Sequence, residues 1–227
     1  MKSNDMSSDR PATRLATRLA FFVAGFGVAC WAPLVPFAKL RLGVDDAVLG
    51  MLLLCIGLGS VVAMVATGAI SARYGSRPVI VAGGIGLVLL LPILTLVNTP
   101  LELGVALLAF GASLGSLDVA MNVHAVEVER AAGRPLMSGF HALFSVGGFA
   151  GSMVMTFLLS MRMDTLSSTL LCSAAMLGAI LIARPRLLSA TQRADGPLFV
   201  MPRGIVLLLA ALTAVTFLAE GALLDWS

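Results

Sequence analysis

Long runs without a charged residue constrain this chain more than any other feature. A helix needs about 20 mostly apolar residues to cross a hydrocarbon core of about 30 Å. The apolar runs are continuous rather than alternating, which argues against barrel strands. They predict an all-α membrane protein with seven spanning helices, near residues 18–38, 48–71, 78–98, 102–126, 138–161, 165–183 and 204–226.

The composition is that of a membrane protein. Hydrophobic residues make up 59% of the 227 residues and charged residues 12%, whereas soluble domains contain about 25% charged residues. This excludes a soluble globular domain, a disordered chain and a nucleic-acid-binding module. Cys30, Cys55 and Cys172 lie far apart inside apolar runs and no metal-ligand spacing occurs, so we expect neither a disulfide nor a metal or cofactor.

Lysine and arginine are distributed unevenly between the two sides of the predicted helices. Twelve lie on the side of the N-terminus and three, Lys39, Arg41 and Arg162, on the other. Because cytoplasmic loops carry the excess of basic residues, we expect a cytoplasmic N-terminus and a location in a bacterial inner membrane. The predicted organisation is a cytoplasmic tail at 1–17, a six-helix bundle at 18–183, a cytoplasmic linker at 184–203 and a seventh helix at 204–227.

A weak internal repeat links the first and seventh predicted helices. Residues 22–32 and 217–227 align at an offset of 195, with Phe, Ala and Trp in common. Together with the linker, the alignment suggests two parallel six-helix repeats. We therefore expect the sequence to stop one helix into its second half, with the rest of a C-terminal bundle missing.

A ten-residue motif lies between the second and third predicted helices, at residues 68–77. Its sequence, GAISARYGSR, resembles the G-x-x-x-D-R-x-G-R-R/K motif of the major facilitator superfamily of secondary transporters. Ala72 replaces the Asp and Ser76 replaces an Arg. In that family the loop takes part in a cytoplasmic gate latch, so the resemblance implies a 12-helix transporter whose latch is weaker or built differently. The matching residues are Gly68, Arg73, Gly75 and Arg77.

Predicted helices four and five resemble one branch of this family in particular. Residues 118–124 and 138–151 are similar to the fucose-permease-like branch of that family, which includes proton-coupled sugar symporters. An acidic residue four positions before Asn122 and a glycine-rich helix five are the shared features. The resemblance implies transport of a sugar or another small polar metabolite, and it does not identify the substrate.

Asp118 is the leading candidate for proton coupling. A carboxylate inside a membrane span costs at least about 2.5–3.5 kcal/mol, so it normally faces a cavity or a partner. Asn122 lies four residues later and shares the same helix face. The alternative is a structural hydrogen bond between helices.

Three further ionisable residues are candidates for the same site. His141 lies one turn inside helix five, and the hairpin of helices four and five is expected to bring it to the depth of Asn122. It could relay protons or bind substrate, or it could be an interfacial residue. The interfacial interpretation is favoured for His124. Glu220 in the seventh helix replaces Gly25 of the repeat and could be a second proton carrier.

Small residues recur at helix spacing in helices four and five. The pairs Gly111/Gly115 and Gly147/Gly151 are expected to allow close helix packing.

Three classes of function are consistent with a seven-helix membrane chain. The favoured one is a proton-coupled secondary transporter of a small solute, working by alternating access in the lipid bilayer, with efflux of a drug or metabolite as its variant. An intramembrane enzyme using Asp118, His124 and His141 lacks a nucleophile motif, so we expect no enzyme. A seven-helix sensor lacks a signalling terminus.

Overall fold

The computed structural model describes residues 11–188, together with 204, 205, 207, 208, 211, 212 and 215. Residues 1–194 and 195–227 form two separate units. In the second unit the described residues from Ile205 to Val215 are helical. The expectations for the first ten residues, for most of the linker and seventh helix, and for Glu220 lie outside the described residues.

The first unit is all-helical within residues 11–188. Six of its segments are long and apolar enough to cross a membrane. The helices are α1 (Pro11–Trp31), α2 (Val35–Leu42), α3 (Asp46–Tyr74), α4 (Ser76–Leu96), α5 (Pro100–Ala132), α6 (Met137–Ser160) and α7 (Thr165–Ala183), with 3-10 turns at Ala32–Leu34 and Arg184–Arg186.

The first span is longer than the sequence predicts and is interrupted. It runs from Pro11 to Leu42, where we predicted 18–38, with the 3-10 turn between α1 and α2. Arg14 and Arg18 do not end the helix, because a helix continues beyond the apolar layer. Proline lacks a backbone donor, and Pro33 and Pro36 lie in the first positions of the 3-10 turn and α2.

Short loops connect the helices and reverse the chain at every turn. We call the end at which α1, α4 and α6 begin the basic end, because eight described arginines lie there. Lys39, Arg41 and Arg162 lie at the opposite end. Arg41 donates to the carbonyl oxygens of Leu94 and Thr95 at 2.7 and 2.6 Å, and so satisfies the last turn of α4.

Helices α3 and α5 pack as a parallel pair through glycine. A Cβ atom on Gly111 would overlap the backbone of Ile56, and one on Gly115 would overlap the backbone of Ser60. The contacts advance by four residues in the same direction along both helices, which defines the parallel orientation. Without a side chain at these positions the two backbones can approach closely.

Helices α1 and α6 form a second parallel pair of the same kind. A Cβ atom on Gly147 would meet the backbone of Phe22, and one on Gly151 the backbone of Phe26. All four glycines singled out in the sequence therefore lie where two helix backbones touch. α4 packs against α5 and α7, and α7 also packs against α1.

Helices α3 and α6 bury little of their surface within the described bundle. In the most apolar window of each, 11% of the α3 residues and 22% of the α6 residues are buried, against 56% for the first span. Large apolar side chains cover their exposed faces, including Leu54, Leu58, Phe149 and Phe157. These faces are suited to lipid or to another helical surface.

Gly75 is the only residue between α3 and α4. Its φ of 94° and ψ of 159° fall in a region that side-chain-bearing residues rarely adopt. The backbone N–H of Gly75 donates to Ser71 O at 2.9 Å. The glycine of the 68–77 motif is therefore required by a one-residue turn.

Two of the three cysteines contact each other. The thiols of Cys30 on α1 and Cys172 on α7 are close enough to interact, and Cys30 Sγ lies 3.6 Å from the carbonyl oxygen of Gly151. Both are buried and free. The expectation of small buried side chains is confirmed for Cys30 and Cys172, which are not far apart in space, whereas Cys55 is only half-buried. Their contact joins α1 to α7.

Asp164 makes the start of α7 sensitive to acid. Its Oδ1 accepts the backbone N–H of Ser167 at 2.9 Å, and this bond holds the pKa of Asp164 below its ordinary value of 3.8. A carboxylate with a lowered pKa stabilises the folded state fully above its ordinary pKa, and this stabilisation is lost as the pH falls through the lowered value.

We therefore expect Asp164→Asn, which caps a helix without ionising, to remove this part of the acid sensitivity. Melting temperatures in lipid between about pH 6 and pH 3 measure the effect. The difference in melting temperature between wild type and variant should become smaller as the pH falls. A difference in melting temperature that does not change with pH would contradict the stabilising role of the Asp164 carboxylate.

Candidate functional site

Helix α5 carries an acid–amide pair. Asp118 and Asn122 are four residues apart, so their side chains share one face of the helix. Asn122 Nδ2 donates to the backbone oxygen of Asp118 at 2.9 Å and lies 3.3 Å from its Oδ1. Both residues are half-buried. The pair leaves the other carboxylate oxygen available to a further partner.

His141 approaches this pair from α6. Its imidazole is within electrostatic range of the Asp118 carboxylate, and its side chain is exposed. The ring of Phe21, which is fully buried on α1, meets the imidazole edge-on with 5.1 Å between ring centroids. Phe21 also stacks on Phe140 at 5.7 Å. The structure therefore joins Asp118 and Asn122 by a hydrogen bond and places His141 within electrostatic range of Asp118.

The side chains of this group are chemically capable of proton exchange. A carboxylate and an imidazole both change charge on binding a proton, and the amide of Asn122 can stabilise either form of the acid. Within the described residues no three His, Cys, Asp or Glu side chains converge as metal ligands would.

His124 lies apart from this group. It is fully buried, with Nδ1 3.2 Å from Thr17 Oγ1 and Nε2 3.0 Å from the backbone N of Leu188. The interpretation of an interfacial histidine facing water or headgroups is therefore wrong. The sequence carried no signal for this contact, because Leu188 follows the last helix of the bundle and its path is set by tertiary structure.

The four motif residues lie at the end of α3, in the turn and at the start of α4, and their surroundings differ. Gly68 is exposed, and among the described residues no atom outside its own helix lies within 4 Å of the position a Cβ would take. Arg73 lies over the ring of Tyr74, 5.3 Å from its centroid. Gly75 forms the turn, and Arg77 is half-buried near the start of α4.

Two glycines that the sequence analysis missed make contacts as close as those it identified. A Cβ atom on Gly25 would overlap Phe144 O, and one on Gly59 would overlap Leu108 O. Each is followed four residues later by alanine, at Ala29 and Ala63. That small-x-x-x-small spacing was the signal that could have found them.

A groove of about 500 Å³ lies between α3, α4 and α5. Its lining is mainly apolar, and within it Thr67 Oγ1 donates to Ser116 Oγ at 3.1 Å. Asp118 is two residues from Ser116 but does not line the groove. The groove is thus separate from the Asp118 group.

Comparisons with known proteins agree on one family. The sequence profile of the Major Facilitator Superfamily matches residues 18–226. An uncharacterized MFS-type transporter of Yersinia pestis is 52% identical over 210 residues, covering 92% of this chain and 55% of that protein. An uncharacterized transporter of Sinorhizobium fredii is 33% identical over 91% of this chain and 56% of its own length.

A third relative is more distant. The membrane protein MosC of Rhizobium meliloti is 27% identical over 91% of this chain and 51% of its own length. The chain therefore spans about half the length of the curated relatives it matches.

Proposed function

Because the chain belongs to the major facilitator superfamily, we propose that it forms the N-terminal part of a proton-coupled secondary transporter. The whole protein would move a small solute by alternating access, between this bundle and a second one supplied by the remaining half. Transport rather than catalysis is the function. The observation that supports proton coupling is the hydrogen-bonded pair of Asp118 and Asn122, with His141 within electrostatic range, in a bundle whose core is mainly apolar.

A sugar or another small polar metabolite is the favoured substrate class. The similarity of residues 118–124 and 138–151 to the fucose-permease-like branch supports it. Amide, carboxylate and imidazole groups are suited to binding hydroxyl groups. Efflux of a less polar compound by the same fold is the alternative, because few polar side chains accompany Asp118, Asn122 and His141.

The proposed orientation has the basic end in the cytoplasm of a bacterial cell, with the chain in the inner membrane. The distribution of arginine supports this orientation. It puts the 68–77 motif at the cytoplasmic end, where the motif would take part in the gate. Glu220, in the second unit, would be a second proton carrier.

Reconstitution of the full-length natural protein tests the proposal. Proteoliposomes with a trapped pH-sensitive dye would receive a panel of sugars, sugar acids, amino acids and cationic dyes. We expect one polar class to produce a pH change in step with its own movement. Solute movement without proton movement would reject proton coupling, and dye movement alone would favour efflux.

A further inference from the structure

His124 joins three parts of the chain that are far apart in sequence. It lies on α5, one ring nitrogen contacts Thr17 on α1, and the other contacts the backbone of Leu188, just beyond the 3-10 turn Arg184–Arg186. The imidazole, Thr17 and Thr13 are all buried. We call this set of hydrogen bonds the His124 clasp.

The partners fix the position of the ring proton. A backbone N–H can only donate, so Nε2, 3.0 Å from the Leu188 nitrogen, must be the acceptor. A neutral imidazole then carries its hydrogen on Nδ1, which donates to Thr17 Oγ1 at 3.2 Å. The Thr17 hydroxyl in turn donates to the carbonyl oxygen of Thr13 at 2.9 Å.

A second proton on the ring is incompatible with this geometry. It would place an Nε2–H against the N–H of Leu188 inside a buried site, where an unsatisfied donor is costly. The clasp therefore requires a neutral ring with its hydrogen on Nδ1. His124 is unsuited to carrying protons while the clasp is closed.

The clasp also acts on the Asp118 group through α1. Thr17 and Phe21 are four residues apart and share a face of α1, and Phe21 is the ring that meets His141 edge-on. His124 and Asp118 lie on the same helix, six residues apart. Fixing Thr17 to His124 therefore fixes Phe21, and with it the imidazole of His141, relative to Asp118.

We propose that His124 is a positioning residue. Its neutral Nδ1–H form holds α1 and the segment after α7 against α5, and so holds His141 opposite Asp118. The role in positioning His141 rests on the proposed function of the Asp118 group, whereas the clasp itself does not.

Nitrogen-15 NMR of histidine-labelled protein in lipid nanodiscs tests the ring state. The chain contains two histidines. In the variant His141→Gln, the remaining histidine ring signal is therefore that of His124. At neutral pH we expect a protonated Nδ1 and an unprotonated Nε2. A signal with the hydrogen on Nε2, or with both nitrogens protonated, would overturn the clasp.

Matched threonine variants test the positioning role. Thr17→Val removes the acceptor of the Nδ1 hydrogen, whereas Thr17→Ser keeps it. The control is Thr169→Val, because the hydroxyl of Thr169 is buried but bonds only within its own helix. We expect Thr17→Val to shift the ring signals of both histidines. Thr17→Ser and Thr169→Val should leave both signals at their wild-type positions.

The outcomes distinguish the existence of the His124 clasp from its role in positioning His141. If Thr17→Val changes the His124 signal and leaves that of His141 unmoved, His124 has a structural role and the positioning proposal is wrong. If neither signal changes, the clasp does not exist in the membrane. Because these readouts need no substrate, a failure of the transport proposal would be seen separately, in proteoliposomes.

Discussion

Asp118→Asn is expected to reduce gradient-driven uptake to the level of empty liposomes. Asparagine has nearly the same shape as aspartate, and its Oδ1 can still accept from Asn122 Nδ2, which lies 3.3 Å from the acid oxygen. What the variant loses is the capacity to bind and release a proton at the Asp118 side chain. Uptake of the solute identified in the dye assay, driven by an imposed pH gradient, measures the effect.

Exchange of labelled for unlabelled solute is the accompanying measurement. Exchange needs binding and alternating access without net proton movement, so the variant should retain it. Asp164→Asn is the matched control, since Asp164 is an exposed helix cap away from the site. Concentrative uptake at the wild-type rate by Asp118→Asn would reject Asp118 as the proton carrier.

Gly59→Ala is expected to destabilise the bundle by about 1–3 kcal/mol, the usual cost of forcing extra atoms into a packed interface. The added methyl group would overlap the backbone oxygen of Leu108, so α3 and α5 would have to separate. Thermal unfolding in detergent or nanodiscs, followed by circular dichroism, measures the loss.

Gly57→Ala is the matched control for this prediction. It lies two residues away on the same helix, and no described atom outside that helix comes within 4 Å of its Cβ position. The exchange of glycine for alanine should there raise helix stability by up to about 1 kcal/mol. Equal melting temperatures for both variants would show that the α3–α5 contact is looser in the membrane.

The spanning helices could be predicted from the sequence because the bilayer sets their length. Their ends could not, since hydropathy marks where the apolar layer stops and hydrogen bonding marks where the helix stops. The first span shows the difference. It begins at Pro11 and keeps Arg14 and Arg18 in helical geometry, and it is then broken by a 3-10 turn around Pro33.

The candidate site could be predicted in part. Spacing alone put Asp118 and Asn122 on one face, as their hydrogen bond shows. That the hairpin brings His141 to the depth of Asn122 stays a prediction. The partners of His124 could not be inferred, because Thr17 is 107 residues away and Leu188 is 64 residues away in sequence. No local pattern encodes contacts of that range.

Two tightly packed helix pairs, α1 with α6 and α3 with α5, make up most of this bundle, and α5 and α6 themselves touch little. The carboxylate of Asp118 belongs to one pair and the imidazole of His141 to the other. Their interaction would therefore act across the boundary between the two pairs, which the His124 clasp also bridges. A proton that binds to or leaves Asp118, as we propose, would change the electrostatic interaction between the pairs, whereas the glycine contacts inside each pair involve no titratable group. The proposed proton site therefore lies between the two helix pairs and not inside either of them.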